Sequence, residues 1–335
     1  MDKRLPMLTI IVPCFNEEEV LPETIKQLTE LMNELCEEKL IGKHSRILFV
    51  DDGSTDRTWM MIAMESVRNQ FVTGIKLARN VGHQKALLAG YLKAREKCDC
   101  AISIDADLQD DVGVIKEFMK NYHEGYEIVY GVRKRRDTDS FFKRTTAQGF
   151  YRMMKKLGID LVYNHADFRL LSKRALDELA RYPENNLFLR GILPLLGFRS
   201  TKVFYDRKER LAGKTKYPLR KMISFALDGL TSFSVRPIRF ITIVGIILFS
   251  ISILLSSFTI FNHALFGLNG TVLSLWVLGS LQLIALGTVG EYIGKIFIEV
   301  KNRPKYAVEI DLFTKSMMER LDRKMDESYF LKYKS

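Results

Sequence analysis

From Phe240 to Gly290 the chain has no Asp, Glu, Lys or Arg, although 27% of its residues are charged. That absence excludes an ordinary water-facing surface over these positions. Asn262-His263 and Asn269-Gly270 divide the run into two apolar halves, each close to the roughly 20 residues a helix needs to cross about 30 Å of hydrocarbon. A membrane hairpin with spans near 240–261 and 271–293 is expected, since a helix pair buried in a protein core needs fewer charge-free residues. Cysteine is also scarce. Cys14, Cys36, Cys98 and Cys100 are the only four, without CxxC spacing, which excludes a disulfide framework or paired zinc ligands and suits a reducing compartment. No secretory signal is seen, because the apolar run Leu8 to Val12 is too short and leads into Asn16-Glu17-Glu18. Internal repeats and low-complexity linkers are absent too.

What is present beside the apolar run sets its orientation. Arg236 and Arg239 precede it and Lys295, Lys301, Arg303 and Lys305 follow it, whereas the connecting segment carries no Lys or Arg. Both ends should therefore stay in the cytoplasm, in a multi-pass protein of the cell membrane. The formal charge of +11 is concentrated: residues 131–156 hold nine Lys/Arg against two Asp, and residues 206–221 hold seven against two acids. Basic clusters just before a membrane anchor read as attraction to anionic headgroups or a phosphorylated substrate. No nucleic-acid-binding motif accompanies them, so nucleic acid is not an expected partner. Four segments follow: a water-facing body at 1–217, an amphipathic helix lying in the interface at 218–236, the hairpin at 237–294, and a C-terminal tail at 295–335.

The body alternates strand and helix signals. Leu8 to Val12, Arg46 to Val50, Phe71 to Leu77, Cys100 to Ile104 and Glu127 to Val132 are short apolar runs of buried-strand type. Val20, Ile25, Leu28, Leu31 and Leu35 form a helical stripe, and a second helical pattern runs from Gln84 to Ala94. This pattern predicts an α/β fold with a mostly parallel sheet, in which ligands sit at the carboxyl ends of the strands. Three of those exits are acidic: Glu17 after the first, Asp51-Asp52 after the second, and Asp105, Asp107 and Gln109 after the fourth. Carboxylates converging on one crevice repel each other unless a cation or hydrogen-bond donors lie between them. Asp105 and Asp107, two apart on an extended segment, face the same side and offer hard oxygen ligands to Mg²⁺ or Mn²⁺, with Gln109 as a third. Such a metal would hold a diphosphate and stabilise it as a leaving group. Taken singly, Asp-x-Asp is common in loops and Asp51-Asp52-Gly53-Ser54 reads more simply as a turn running into a helix N-cap; the order of the motifs decides.

The succession PCFNEE, VDDGSTD, RNVGHQKALLAG and IDADLQD resembles the family 2 glycosyltransferases over roughly residues 7–205. The segments GVRKRR, FFKRTTAQGFYR, HADFRLLSKRAL and GEYIGKIFIEVKNRPKY extend the resemblance to the polyprenyl-phosphate branch, nearest to the bacterial bactoprenol glucosyltransferases. It implies a nucleotide-sugar-binding glycosyltransferase A fold, Rossmann-like. Pro13, Phe15 and Glu17 would line the nucleotide, Asp51 would contact the base, Asp52 would belong to the nucleotide-sugar site, and Asp105 and Asp107 with Gln109 would hold the metal on the diphosphate. Gly82 would let the backbone close on the pocket. His83 would donate to a phosphate or ribose, or else cap the following helix. Asp167 and Arg169 would act near the reacting sugar, or form a structural ion pair. The implied partners are a nucleotide sugar, a polyprenyl phosphate lipid, the membrane and further copies of the chain, in a homo-oligomer such as a tetramer.

A lipid monophosphate has a second pKa near 6 and is already an anionic nucleophile at neutral pH, so a base is dispensable and placement decides the rate. Arg133, Lys143, Arg144, Lys214, Lys216 and Arg169 are the candidates for clamping the acceptor phosphate. Direct attack would invert the anomeric carbon. A processive polysaccharide synthase is disfavoured because its QxxRW segment is missing: the two tryptophans, Trp59 and Trp276, stand in other settings. A membrane-tethered nucleotide-binding scaffold without catalysis would lack the metal ligands, which are present.

Overall fold

A computed structural model describes residues 4–133, 165–184, 189–206 and 268–314, with the isolated position 247. The chain opens with three strand–helix pairs: β1 (Leu8–Cys14), α1 (Leu21–Glu37), β2 (Arg46–Asp51), α2 (Thr58–Arg68), β3 (Val72–Leu77) and α3 (His83–Ala94). It continues through β4 (Cys100–Ser103), α4 (Val114–His123), β5 (Ile128–Arg133), β6 (His165–Ser172), α5 (Lys173–Leu179), α6 (Leu189–Leu195), β7 (Ser200–Tyr205), α7 (Leu268–Lys301) and β8 (Val308–Asp311). All five expected strands and both expected helices form where the apolar pattern put them.

The reason lies in the two faces of the sheet. Leu8, Ile10 and Val12 enter one apolar cluster with the α1 stripe Leu21, Ile25, Leu28, Leu31 and Leu35. Ile11 enters a second cluster on the opposite face with Ala86, Leu87 and Tyr91 of α3. A strand covered on both faces must be apolar at every position, which is why these segments read as continuous runs. Gly90 permits the close approach of α3, since a Cβ there would meet Ile11 Cγ2 at 2.4 Å.

The strand order is β7-β5-β6-β4-β1-β2-β3-β8. The pairs β1–β2, β1–β4, β2–β3 and β5–β7 are parallel. The pairs β4–β6, β5–β6 and β3–β8 are antiparallel. This is the expected mostly parallel α/β sheet. The carboxyl ends of β1, β2, β3, β4, β5 and β7 and the amino end of β6 consequently share one edge.

Two expectations about organisation change. The segment assigned to a C-terminal tail supplies β8, which pairs with β3 at the sheet edge and places Phe313 at 2% exposure in the second cluster. Lys93 reaches Asp311 at 2.8 Å and Lys76 reaches Glu309 at 2.9 Å, so the body is closed by residues that follow α7. The hairpin is not found: among the described residues, no helix is long and apolar enough to cross a membrane. The first expected span and the amphipathic helix at 218–236 lie outside the described residues, apart from Ile247. The second coincides with α7, where Leu275, Leu278, Leu286, Val289 and Ile293 are exposed.

Candidate active site

The acidic loop after β4 is held from behind. Thr24 of α1, fully buried, donates its hydroxyl to the Ala106 carbonyl at 2.7 Å. Ala106 and Leu108 are buried at 4% exposure each while Asp105, Asp107 and Gln109 are half-buried, although the segment is a turn and not the extended run expected. β4 has already ended at Ser103, the segment turns at Ala106-Asp107, and Leu108 takes a positive φ of 53°. Among the described residues, no three His, Cys, Asp or Glu side chains form a complete metal cage. The donor set nevertheless fits a hard divalent cation that keeps waters and substrate oxygens as its other ligands. Burial raises the Asp105 carboxyl to about 6; His83 opposes this, while the carboxylates of Asp110, Asp167 and Asp107 add to it. That crowding is relieved by positive charge.

His83, the first residue of α3, supplies some of it. Its Nε2 lies 3.4 Å from Asp167 Oδ2 and 3.7 Å from Asp105 Oδ1. Burial alone would lower its pKa, but the hydrogen bond to Asp167 and the Asp105 charge bring it to about 9, so the ring is an imidazolium at neutral pH. It does not cap α3, whose start has no side-chain cap. Gly82 reaches the required φ of 90°, and its N–H, with that of Val81, donates to the carboxylate of Asp52 at 2.9 and 2.8 Å. Asp52 thereby stitches the exit of β2 to the loop before α3, and both its oxygens are engaged.

Asp51 is fully buried, and its Oδ1 has no hydrogen-bond partner among the described residues. Burial raises its pKa, against hydrogen bonding from Ser54. Pro13 is buried within β1, whereas Phe15 and Glu17 emerge half-buried at its exit.

Asp167, at the start of β6, is the most heavily paired carboxylate of the site. Arg169 donates Nη2 to its Oδ1, and Arg190 of α6 donates Nε at 3.3 Å and Nη2 at 3.2 Å to its two oxygens. Burial would raise its pKa, but Arg190, Arg169 and His83 hold it well below the usual carboxylate range. Arg169 is 0% exposed, in register with Ser103 and Tyr130 inside the sheet. It cannot present itself to a lipid phosphate; its role as a phosphate clamp is corrected to that of partner beneath Asp167. Arg190 escaped the sequence reading, although it is the lone charge in the apolar run Leu187 to Leu196.

Arg133, the last residue of β5, gives Nη2 to Asp110 Oδ1 at 2.9 Å, and Tyr205, the last residue of β7, donates its hydroxyl to the same oxygen at 2.5 Å. Arg133 thus meets the crevice already paired. Lys143, Arg144, Lys214 and Lys216 lie outside the described residues.

A family model described as "Glycosyl transferase family 2" matches residues 9–180. A Bacillus subtilis protein named "Uncharacterized glycosyltransferase YkoT" is 62% identical, covering 97% of this chain and 99% of its own length. A second B. subtilis protein, "Uncharacterized glycosyltransferase YkcC", is 38% identical over 90% of this chain and 93% of its own. A Shigella flexneri protein named "SfII prophage-derived bactoprenol glucosyl transferase" is 38% identical over 90% of this chain and 97% of its own.

Proposed function

The chain belongs to glycosyl transferase family 2 and is a glycosyltransferase that uses nucleotide sugars; from that premise we propose that it transfers a sugar from a UDP-sugar to undecaprenyl phosphate, inverting the anomeric carbon. The observation that carries the acceptor is Asp167. A carboxylate paired with two guanidiniums and an imidazolium has little affinity for a proton, so it is a poor base. A sugar hydroxyl needs one, whereas a phosphate monoester arrives ionised. The name of the Shigella relative, with its bactoprenol acceptor and glucosyl group, supports the same reading.

In this reading the orphaned Oδ1 of Asp51 accepts an N–H from the uracil ring, beside Phe15 and Glu17. Asp105, Asp107 and Gln109 would hold Mg²⁺ or Mn²⁺, which when bound neutralises the diphosphate and stabilises it on departure. His83 places its positive charge between the donor loop and Asp167. Asp167, fixed by Arg190, stabilises the positive charge developing at the anomeric carbon. An acceptor phosphate oxygen bonds to that carbon as the bond to the nucleoside diphosphate breaks, and the electron pair leaves with the diphosphate. Arg133, Lys143, Arg144, Lys214 and Lys216 are assigned to the acceptor phosphate.

The lipid acceptor calls for membrane attachment at the cytoplasmic face of the cell membrane, with both termini inside. The charge-free run and the exposed apolar side chains of α7 support a hairpin there, and Gly287, Gly290 and Gly294 suit contact with further copies. The product would supply sugar for cell-envelope glycans.

Purified full-length protein in detergent, given undecaprenyl phosphate, Mn²⁺ and radiolabelled UDP-glucose, UDP-N-acetylglucosamine or a UDP-pentose, should label the lipid with one donor. Label in none of them overturns the proposal. Label in a growing polymer would favour a processive synthase.

A further inference from the structure

Asp110 closes the acidic loop but is not one of its outward-facing residues. It is 2% exposed, and its carboxylate reaches across to the ends of two neighbouring strands. Its Oδ1 accepts from Arg133 Nη2 at 2.9 Å, Arg133 Nε at 3.3 Å and Tyr205 Oη at 2.5 Å. Arg133 and Tyr205 are themselves register partners, closing the parallel β5–β7 pair. One carboxylate therefore ties the loop of Asp105, Asp107 and Gln109 to the points where the chain runs on into its two basic clusters, 131–156 and 206–221.

The clasp fixes Arg133 in a particular way. Two of its nitrogens are spent on Asp110, while Nη1 has no partner among the described residues, and 24% of the side chain remains exposed. A guanidinium locked along one edge and open along the other loses little rotamer freedom when a phosphate arrives. Arg133 ends β5 at the carboxyl edge of the sheet, the same edge from which the donor loop leaves β4. Burying Asp110 is costly unless its charge is matched, and Arg133 matches it.

We infer that Asp110 is a positioning residue for the acceptor: it holds Arg133, with Tyr205 as a brace, so that a lipid-borne phosphate monoester is received at a fixed distance from the donor diphosphate. This rests on the acceptor reading above. It assigns Asp110 no direct contact with donor or metal, so its loss falls chiefly on the acceptor.

The test is binding by full-length protein in detergent, measured by isothermal titration with UDP plus Mn²⁺, with undecaprenyl phosphate and with undecaprenol. Asp110→Asn keeps the shape and the accepting oxygen but removes the charge. It should weaken undecaprenyl phosphate by about tenfold, the size of one charged hydrogen bond, and leave UDP with Mn²⁺ within about twofold. Tyr205→Phe, which leaves all charges in place, should weaken the lipid phosphate by about threefold in the same direction. Both should erode the preference for undecaprenyl phosphate over undecaprenol, which a merely structural residue would not do. Equal weakening of both substrates, or none in either variant, overturns the inference while leaving the acceptor reading intact. Wild-type protein that binds UDP with Mn²⁺ but does not distinguish undecaprenyl phosphate from undecaprenol sinks the acceptor reading and the inference with it.

Discussion

Arg190 grips Asp167 along both oxygens, with Nε 3.3 Å from Oδ1 and Nη2 3.2 Å from Oδ2. The two residues are 23 apart in the chain and meet because β6 begins, and α6 lies, at the edge where the other strands end. Paired with Arg190 on one side and with Arg169 from within the sheet, Asp167 is held as an anion, its pKa well below the usual carboxylate range.

The two arginines should separate in stability. Arg169→Met removes a fully enclosed partner of the buried Asp167 and should cost about 3–5 kcal/mol, whereas Arg190→Ala removes a partly exposed guanidinium and leaves Asp167 paired with Arg169, so it should cost less, about 1 kcal/mol. Transfer should respond in the opposite sense for Arg190, falling by about 10²-fold with UDP binding unchanged, as expected when a group acting in the transition state loses its alignment. Denaturant unfolding and steady-state rates check both halves. Equal stability losses would contradict the burial argument.

Asp107→Ala should reduce sugar transfer by at least about 10²-fold, because a metal supplies several kcal/mol of charge stabilisation. The fold should be retained, since Asp107 is half-buried on a loop held by Thr24 and Ala106. Mn²⁺ titration followed by UDP binding is the direct measurement, and unchanged metal dependence would remove Asp107 from the site.

His83 gives a pH signature in metal-free protein. Its folded pKa, about 9, lies above the ordinary 6.5, so the stability it contributes is complete below 6.5 and is lost as pH rises through 9. Melting temperatures from about pH 6 to about pH 10 should fall more for wild type than for His83→Gln. Parallel curves for the two would mean that the imidazolium pairs with neither Asp105 nor Asp167.

Phe313→Ala should destabilise the body by about 3–5 kcal/mol, as for any large aromatic removed from a packed core. The residue belongs to the segment that looked like a tail, so an effect near zero would show that β8 is dispensable to the sheet.

Membrane topology is open to a labelling experiment. A cysteine at Asn269 should react with an impermeant thiol reagent on intact cells, and one at Ser335 only after permeabilisation. Labelling of Ser335 from outside would separate the site from cytoplasmic nucleotide sugars.

The sequence by itself determined the alternating architecture, because strands buried on both faces must be apolar throughout and α1 must carry a stripe; those constraints act within a few residues and leave a local record. It also singled out Asp51, Asp105 and Asp107 as acidic residues at strand exits, and, through the family resemblance, His83 and Asp167. It did not reveal that Arg169 faces inward: alternation along β6 sends Asp167 and Arg169 to the same face, but only the antiparallel insertion of β6 between β4 and β5 decides that the second of them is enclosed by the sheet. Arg190, Asp110 and Tyr205 left no local pattern at all, since each acquires meaning from a partner 23 or more residues away. The same holds for β8, a four-residue strand whose only strong signal is the free edge of β3 waiting for it. Spacing along the chain records what a residue's neighbours in sequence require; the pairing of charges across strands is decided by sheet order, which tertiary packing alone supplies.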